Sequence, residues 1–331
     1  MYESIIKKEK GLIMEKKIYN PLVSIIIPVY KGELFMREAI DSALNQTYKN
    51  IEVIVVNDGS PDDGKTDMIA KSYGDSIRYF YKENGGVSSA LNYGISKMRG
   101  EWFSWLSHDD LYTPDKIEKQ IEAAEKAKEK VCVVRCNTSS IDAKGNPIVR
   151  PQRKVEGLFS AKEMFKMHSL KEVGLYGCTL LIHKNILNEC GEFDENLRTV
   201  QDEDYWTRIM FKGFFFISIK DTLVKIRVHG NQMTKILENL FDKEREVYAN
   251  KVFDYYNWDK TKNRENLLVF ICKEAKEKRK KIEKQLITLL KDESTLSLIE
   301  NIKIKGYELW GSIYSFAKKA YRWINIRGLR K

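Results

Sequence analysis

The sequence lacks any apolar run long enough to cross a membrane. Its longest apolar stretches, residues 23–29 and 214–219, have the length of a β-strand, whereas a spanning helix needs about 20 apolar residues. The N-terminus carries Glu3 and scattered lysines, without the apolar segment and small-residue cleavage site of a secretory signal. We therefore predict a cytoplasmic chain that is neither secreted nor membrane-spanning.

Cysteines are few, and none form a CxxC pair. The five are Cys132, Cys136, Cys178, Cys190 and Cys272. The first two lie in the apolar run VCVVRC, and their spacing does not match the common zinc-binding patterns. We predict reduced, buried thiols rather than a zinc site.

Positive charge is in excess but unevenly placed. The formal net charge is +10, and the basic residues concentrate in about the last seventy positions, so nucleic-acid binding is not predicted. Residues 310–324 place Trp, Ile, Tyr and Ala at helical spacing with lysines and an arginine between them. Such a helix suits an anionic membrane surface, and equally well docking on the preceding domain or on a second subunit of an oligomer.

Strand-like and helix-like segments alternate along the first half of the chain. Residues 22–29 and 51–56 are β-branched, apolar runs typical of buried parallel strands, and residues 33–46 between them have apolar positions at helical spacing. The pattern continues with helices at 65–73, 87–98 and 114–130 and strands at 77–81, 102–106 and 131–136. This predicts an α/β fold, Rossmann-like and doubly wound, with a mostly parallel central sheet and flanking helices.

Beyond the last of these strands the pattern is less regular. A turn is predicted at 142–147, where the sequence AKGNP occurs, and mixed short helices and strands at 151–227. From Leu237 onward the composition predicts mostly helix. We therefore predict an extension at 1–20, a catalytic domain at 21–235 and a helical, basic C-terminal region at 236–331.

Polar and aromatic side chains follow the first two predicted strands. Tyr30 ends the first and Asp58 the second, and ligands bind at this carboxyl edge in open α/β sheets. An aromatic ring can stack on a base, and a carboxylate can accept the N–H of a uracil-like ring, which together would suit a pyrimidine nucleotide. The alternative is that residues 58–62, DGSPD, only form a turn that caps the next helix.

A second acidic feature follows the strand at 102–106. His108, Asp109 and Asp110 come directly after it, and two adjacent carboxylates are costly without a counter-charge. A divalent cation shared with a diphosphate would supply one. The alternative is helix capping, because Thr113 and Pro114 follow.

Four segments in order resemble the family 2 glycosyltransferases of the GT-A fold, known from bacterial surface-polysaccharide biosynthesis. They are VSIIIPVYKGELFMREAIDSALNQTYKNIEVIVVNDGS, ENGGVSSALNYGI, WLSHDDLYTPDKI and QDEDYWTRI, and they span residues 23–208. Each is unremarkable alone, and their order and spacing carry the resemblance.

The resemblance implies roles for particular side chains on the donor side. The residues expected to hold or border the nucleotide-sugar donor are Pro28, Tyr30, Glu33, Asp58, Asn84, Gly85 and Gly86. Asp110 would bind the divalent cation, Mn²⁺ or Mg²⁺, and Asp109 would face the ribose or the sugar. His108 replaces the acid often found first in this motif, which leaves the last acid intact.

On the acceptor side, Asp202 aligns with the family's general base, and Asp204 is its nearest competitor. Gln201 stands where Glu is common. Arg227 resembles the family's late basic segment and would touch the diphosphate. His229 would touch the metal, although a structural histidine is an equal alternative. The implied reaction is an inverting displacement without a covalent enzyme intermediate.

The implied donor is a UDP-sugar or dTDP-sugar, and the implied acceptor is a saccharide or a lipid-linked saccharide at the inner face of the cell membrane. A dehydrogenase is excluded because PVYKGE stands where GxGxxG is required. A nucleotidyltransferase is disfavoured because the same position lacks a Gly-rich loop with Arg and Lys. The remaining alternative is an inactive sugar-nucleotide-binding or scaffold subunit, which the departures at His108 and Gln201 keep open.

Overall fold

The computed structural model describes residues 19–276, apart from 128–130, 151–153, 231 and 233–236. Most of the predicted extension and the amphipathic segment at 310–324 lie outside the described residues. The described chain forms one mixed ten-stranded sheet with helices on both faces. The predicted α/β architecture is confirmed.

Strands and helices alternate as the sequence pattern indicates. The strands are β1 (Val23–Val29), β2 (Ile51–Asp58), β3 (Arg78–Lys82), β4 (Trp102–Trp105), β5 (Leu111–Tyr112), β6 (Cys132–Asp142), β7 (Pro147–Ile148), β8 (Gly157–Phe159), β9 (Leu180–His183) and β10 (Phe215–Val228). The helices are α1 (Met36–Leu44), α2 (Lys65–Lys71), α3 (Val87–Lys97), α4 (Lys116–Lys126), α5 (Ala161–Ser169), α6 (Lys184–Cys190), α7 (Gln201–Lys212), α8 (Glu238–Asn257) and α9 (Lys260–Lys276).

The strand order brings the candidate site residues to one edge of the sheet. The order is β3-β2-β1-β4-β9-β6-β10-β5, with β7 beside β6 and β8 beside β10. β9 runs antiparallel to both of its neighbours, β4 and β6, while the other pairings among β1, β2, β3, β4, β6 and β10 are parallel. These six strands therefore point the same way, and the chain leaves each of them at a common carboxyl edge.

The central strand β1 is buried along its whole length, as its β-branched sequence predicts for a strand covered on both faces. Pro28 lacks an N–H and is therefore unusual inside a sheet. The pairing with β4 ends at Ile26, opposite Trp105, so Pro28 lies where β2 is the only strand partner of β1 in the described sheet. The proline thus costs no ladder hydrogen bond on the β4 side.

The sheet separates two hydrophobic cores. One contains α1, α2 and α4, and the other contains α3, α5, α6 and α7. Helices α8 and α9 join the second core through Tyr248, Val252, Tyr256, Leu267 and Phe270, all of which are buried. The helical region predicted after Leu237 begins with these two helices, and it packs on the catalytic part of the chain. The division at about residue 235 stays a prediction.

The irregular region contains more regular structure than the sequence pattern indicates. β6 continues beyond the predicted strand to Asp142, and β9 and the 14-residue β10 lie within the segment predicted as mixed. The predicted turn at 142–147 joins β6 to β7, and the Asp142 Oδ1 accepts the Asn146 N–H at 2.8 Å. The helix predicted at 33–46 is a 3₁₀ turn, Gly32–Leu34, followed by α1.

Cys132, Cys136, Cys178 and Cys190 are buried, as predicted, and the last three are free thiols. Within the described ranges, no helix combines the length and hydropathy that a membrane span requires.

Helix α3 approaches β1 so closely that a side chain at Gly94 would overlap Ile26. A Cβ at Gly94 would lie 2.5 Å from Ile26 Cγ2. Replacing a helical Gly with Ala normally gains about 1 kcal/mol, while overpacking a core costs roughly 1–3 kcal/mol. We expect Gly94→Ala to lower the free energy of unfolding by about 1 kcal/mol in urea titrations. Exposed Ser96→Ala on the same helix should change it by less than about 0.5 kcal/mol, and a Gly94→Ala variant more stable than wild type would contradict the close packing.

Candidate active site

The carboxylate of Asp58, at the end of β2, organises the loop that follows β3. Asp58 Oδ1 accepts hydrogen bonds from Lys82 Nζ at 2.9 Å and Gly85 N at 3.0 Å. Its Oδ2 accepts from Gly86 N at 2.8 Å and Asn84 Nδ2 at 3.2 Å. The side chain is almost completely buried. These donors use the available lone pairs of both oxygens.

The alternative that residues 58–62 only form a turn that caps the next helix holds for Asp62 and not for Asp58. The turn before α2 uses Asp62, whose Oδ2 accepts the Thr66 N–H at 3.2 Å. Asp58 instead reaches across to a loop 26 to 28 residues further along the chain. Its role in this structure is therefore tertiary.

Close backbone contact explains the glycines at this edge. Gly59 has a φ of +63°, and a Cβ there would lie 2.6 Å from the Asn84 backbone nitrogen. A Cβ on Gly85 would lie 2.7 Å from Ser89 Oγ. At Gly59 the two loops therefore pack backbone against backbone, an approach that residues with a side chain cannot make, whereas at Gly85 the close contact is with the Ser89 side chain.

The end of β1 lies beside the end of β2. Lys31 N donates to Ser60 Oγ at 2.9 Å, which ties the two loops together next to the partly exposed Tyr30. Glu33 is exposed and forms an ion pair with Lys65 at 2.9 Å. Pro28 is buried, and its backbone accepts a hydrogen bond from His108, whose pKa is lowered by burial. Tyr30 is thus the aromatic member of this predicted group, and its side chain is partly exposed.

The acid pair after β4 is tied to the end of β10. Asp110 Oδ1 accepts the backbone N–H of Arg227 at 2.9 Å, and Asp109 Oδ2 lies 3.0 Å from His229 Nε2. The helix-capping alternative is wrong here, because α4 begins later and Asp115 occupies its N-cap position. The structure therefore brings Asp109, Asp110, Arg227 and His229 together.

The Arg227 side chain is buried against the acid pair and does not face an open cleft. Its side chain is 1% exposed. The guanidinium donates to the Asp109 carbonyl at 3.0 Å, to the Ala143 carbonyl at 3.3 Å and to Glu38 Oε2 at 2.8 Å. It also stacks on the Phe35 ring at 4.5 Å. To contact a donor diphosphate, Arg227 would have to give up these partners.

The surroundings of the acid pair make it unfavourable for both carboxyl groups to be ionised. Burial, and then the neighbouring Asp109 carboxylate, raise the pKa of Asp110 to about 8. A cation beside Asp110 would make ionisation of this carboxyl group less costly. Carboxylate oxygens are also the ligands that a hard metal ion prefers. In the part of the chain that the structure describes, however, no group of three or more His, Cys, Asp or Glu side chains is arranged to hold a metal. Phosphate oxygens of a substrate would have to complete the coordination.

Asp202 and Asp204, the two candidate bases at the start of α7, have different surroundings. Asp204 is completely buried and bonded to Tyr255 Oη and to Arg208 Nε, the latter at 3.1 Å. Asp202 is partly exposed, and its Oδ1 accepts the Glu203 N–H at 2.8 Å. Burial, and then the Glu203 charge, raise the pKa of Asp202 to about 6. Asp204 is thus a structural residue, and Asp202 remains the candidate.

The topology places the start of α7 at the same edge as the other site residues. Only Gly213 and Phe214 separate the end of α7 from the start of β10. The helix therefore runs back along the sheet, and the segment just before it contacts the start of α3, where Ser88 Oγ donates to the Leu197 carbonyl at 3.4 Å.

Sequence reasoning missed two basic residues at this site. Lys82, which bonds to Asp58, was detectable because it ends a strand at the same edge. Arg198, in the segment before α7, approaches the loop 84–86, which we call the donor loop. The Arg198 Nε lies 3.7 Å from the position that a Cβ on Gly86 would occupy. No local pattern identifies Arg198, because more than a hundred residues separate it from that loop.

The fold and the site together define a class: an open α/β enzyme domain with a ligand site at the carboxyl edge of its sheet. A family model described as glycosyl transferase family 2 matches residues 24–191. An uncharacterized glycosyltransferase of Rickettsia typhi is 48% identical over 239 residues, covering 71% of this chain and 73% of its own. The uncharacterized glycosyltransferase EpsJ of Bacillus subtilis is 30% identical over 268 residues, covering 76% and 75%.

The chain belongs to glycosyl transferase family 2 and is a glycosyltransferase. Among solved structures, residues 1–349 of S. aureus TarS in complex with UDP-GlcNAc superpose with a TM-score of 0.59 at 14% identity, covering 91% of both chains. This likeness confirms the GT-A fold.

The backbone contact at Gly59 can be tested against a second left-handed glycine. Gly59→Ala introduces both an unfavourable φ and a clash with Asn84, whereas Gly74 has a φ of +51° and no atom near its Cβ position. We expect Gly74→Ala to lower the free energy of unfolding by about 1–2 kcal/mol and Gly59→Ala by about 2–4 kcal/mol. Urea unfolding of both variants measures the difference, and equal losses would contradict the proposed loop packing.

Proposed function

We propose that the enzyme transfers a sugar from a UDP-sugar to a hydroxyl group of a saccharide or lipid-linked saccharide, with inversion at the anomeric carbon. A dTDP-sugar is the alternative donor. The proposal is supported by the loop held by Asp58 and the Asp109–Asp110 pair at one sheet edge, and by the contact between the start of α3 and the segment that leads to Asp202. TarS, which shares the fold, has been crystallised with UDP and with UDP-GlcNAc.

The nucleoside is proposed to lie between Tyr30 and the loop 84–86. The Tyr30 ring would stack on the base. Because the Asp58 oxygens already accept four hydrogen bonds, a uracil N–H would replace one of them. The Lys82 side chain is the natural one to move, since it is flexible, whereas Gly85 and Gly86 donate from the backbone. Pro28 and Glu33 are proposed to border this pocket.

A divalent cation, Mn²⁺ or Mg²⁺, is proposed to bind between Asp110 and the donor diphosphate, with His229 beside it. When bound, it would offset the negative charge that grows on the leaving diphosphate. Asp109, held by His229, would face the ribose or the sugar. Arg227 is proposed to act through these residues, since its guanidinium already has its partners inside the protein.

Asp202 is proposed as the general base. The new bond forms between the acceptor oxygen and the anomeric carbon while the bond from that carbon to the diphosphate oxygen breaks. The acceptor hydroxyl proton passes to Asp202. With a pKa of about 6, the carboxylate is ionised at pH 7 and is a stronger base than an ordinary aspartate. A single displacement needs no covalent enzyme intermediate and inverts the configuration.

The proposed acceptor and its location are inferred from the C-terminal region. We propose that the amphipathic segment predicted at 310–324, which lies outside the described residues, holds the enzyme at the cytoplasmic face of an anionic membrane, where lipid-linked saccharides are presented. The minor teichoic acid biosynthesis protein GgaB of B. subtilis is 28% identical over 253 residues, 27% of its own length, and its name is compatible with a surface-polymer acceptor.

The first experiment measures release of nucleoside diphosphate from a panel of UDP- and dTDP-sugars, with Mn²⁺ or with EDTA, and with saccharide or lipid-linked acceptors. Wild type is expected to cleave one donor in a metal-dependent way. Asp110→Asn should abolish the metal dependence together with most activity. Asp202→Asn should lower kcat by roughly 10²- to 10⁴-fold with little change in donor affinity.

Asp242→Asn, an exposed carboxylate on α8, is the control and should retain wild-type rates. If UDP raises the Tm while no donor is cleaved with any acceptor, the proposed reaction is wrong and the chain is a sugar-nucleotide-binding subunit. Full activity of Asp202→Asn would remove the general-base assignment alone.

The environment of Asp202 predicts a pH dependence. Because burial and Glu203 raise the pKa of Asp202, kcat/KM should fall as the pH drops through about 6. Glu203→Gln removes a negative charge beside Asp202 and leaves the nearby Lys273 cation, so the Asp202 pKa should decrease and the acidic limb should move to lower pH. Glu189→Gln, on the exposed side of α6, should leave it in place. An acidic limb that does not respond to Glu203→Gln would argue against Asp202 as the titrating base.

A further inference from the structure

The segment that carries Asp202 is held by the helices that follow the sheet. Glu244 on α8 is 6% exposed and accepts three hydrogen bonds from two consecutive residues. Its Oε1 accepts the Arg198 N–H at 2.8 Å, and its Oε2 accepts Thr199 N at 2.7 Å and Thr199 Oγ1 at 2.6 Å. A carboxylate thus fixes the backbone just before α7.

A second anchor lies directly after Asp202. Arg245 Nη1 donates to Glu203 Oε2 at 2.7 Å, and Lys273 Nζ donates to the same oxygen at 3.1 Å. Arg245 Nη2 also donates to Glu274 at 2.6 Å. Arg245 and Glu274 are both at most 1% exposed, whereas Glu203 is partly exposed, so two acids and two bases form a largely buried, charge-balanced network joining α7, α8 and α9.

Two further contacts complete the attachment. Tyr255 Oη donates to Asp204, and Lys251 Nζ lies 2.9 Å from Asp194. Asp202 therefore sits between anchored residues on both sides, at 198–199 and at 203–204. All of these partners belong to residues 238–276, beyond the stretch 24–191 that the family model matches.

The same segment is also attached to the donor side. Asn92 on α3 exchanges hydrogen bonds with the Phe193 backbone, at 2.8 Å and 2.9 Å. Because α3 begins at the loop held by Asp58, the segment 193–204 has the donor loop on one side and α8 on the other. Its position relative to the donor depends on both attachments.

We propose that α8, through Glu244 and Arg245, positions the general base, so that residues 238–276 are part of the catalytic unit. This inference rests on the proposed role of Asp202. Glu244 and Arg245 are positioning residues, because their partners are Arg198, Thr199 and Glu203 rather than the substrate. A displacement of about 1 Å in a reacting group lowers rates by about 10²-fold, so small losses of this attachment should appear in kcat.

The network of Glu203, Arg245, Lys273 and Glu274 fixes a definite geometry, which stabilising the fold does not by itself require. Buried ion pairs are often no more stabilising than apolar side chains of similar volume, whereas they impose a definite geometry. Here the hydrogen bonds and ion pairs fix the loop before α7 and the first turn of α7, rather than the packing of the core. The energetic cost of burying these charged groups thus falls on the residues on either side of Asp202.

The test uses the full chain with Glu244→Gln. The variant preserves size but turns an amide NH₂ toward groups that are themselves donors. We expect kcat for sugar transfer to fall about 10- to 100-fold, while the Kd for UDP and the KM for the donor change less than about twofold. Asp242→Asn on the same helix should behave as wild type. Thr199→Val, which removes one of the three hydrogen bonds and preserves shape, should lower kcat several-fold and serves if Glu244→Gln does not fold.

A double-mutant cycle separates positioning from general stabilisation. If Glu244 acts through Asp202, adding Glu244→Gln to Asp202→Asn should cause no further loss of kcat. Two losses that multiply, or a Glu244→Gln enzyme and a Thr199→Val enzyme that both fold and retain wild-type kcat, would overturn the inference. If Asp202→Asn alone is fully active while Glu244→Gln is impaired, the general-base assignment has failed, and the inference in this form fails with it.

Discussion

The buried Asp58 carboxylate is the interaction on which the rest of the site depends. It gathers four donors from one loop onto two oxygens, and hydrogen bonds to a charged acceptor are stronger than neutral ones. This bonding sets the distance between the loops after β2 and β3 and therefore requires glycine at position 59. It also fixes where α3 begins, and α3 in turn holds the backbone at Phe193 through Asn92.

A second constraint comes from charge. Asp109 and Asp110 are adjacent and partly or fully buried, which is unfavourable for two carboxylates. The protein offsets this in part with the backbone N–H of Arg227, the His229 ring and a guanidinium that contacts the Asp109 carbonyl. All three come from the end of β10, whose length lets it reach this edge. The remaining cost of ionising both carboxyl groups is what makes the pair suited to a cationic partner.

The first half of the fold follows from local sequence, and the second half does not. Every strand and helix predicted between residues 22 and 106 is present, because each has its own apolar periodicity and is joined to the next by a short turn. β9 is a four-residue strand whose antiparallel pairing depends on β4 and β6, and β10 contains register shifts between Ser218 and Val224. Pairings such as Asp110 with Arg227 or Thr199 with Glu244 join residues far apart in the chain, so no window of sequence contains both partners.

The attachment of α8 to the segment before α7 has a consequence during synthesis. The parallel strands β1 to β4 and their helices form from contiguous chain, so a ribosome that has released residues up to about 110 has supplied the parts of the Asp58-centred loop. Glu244, Arg245 and Lys273 emerge more than a hundred residues later. A growing chain therefore contains all the hydrogen-bond partners of Asp58 well before it contains the residues that hold the segment around Asp202, and that attachment can be completed only after translation has passed residue 274.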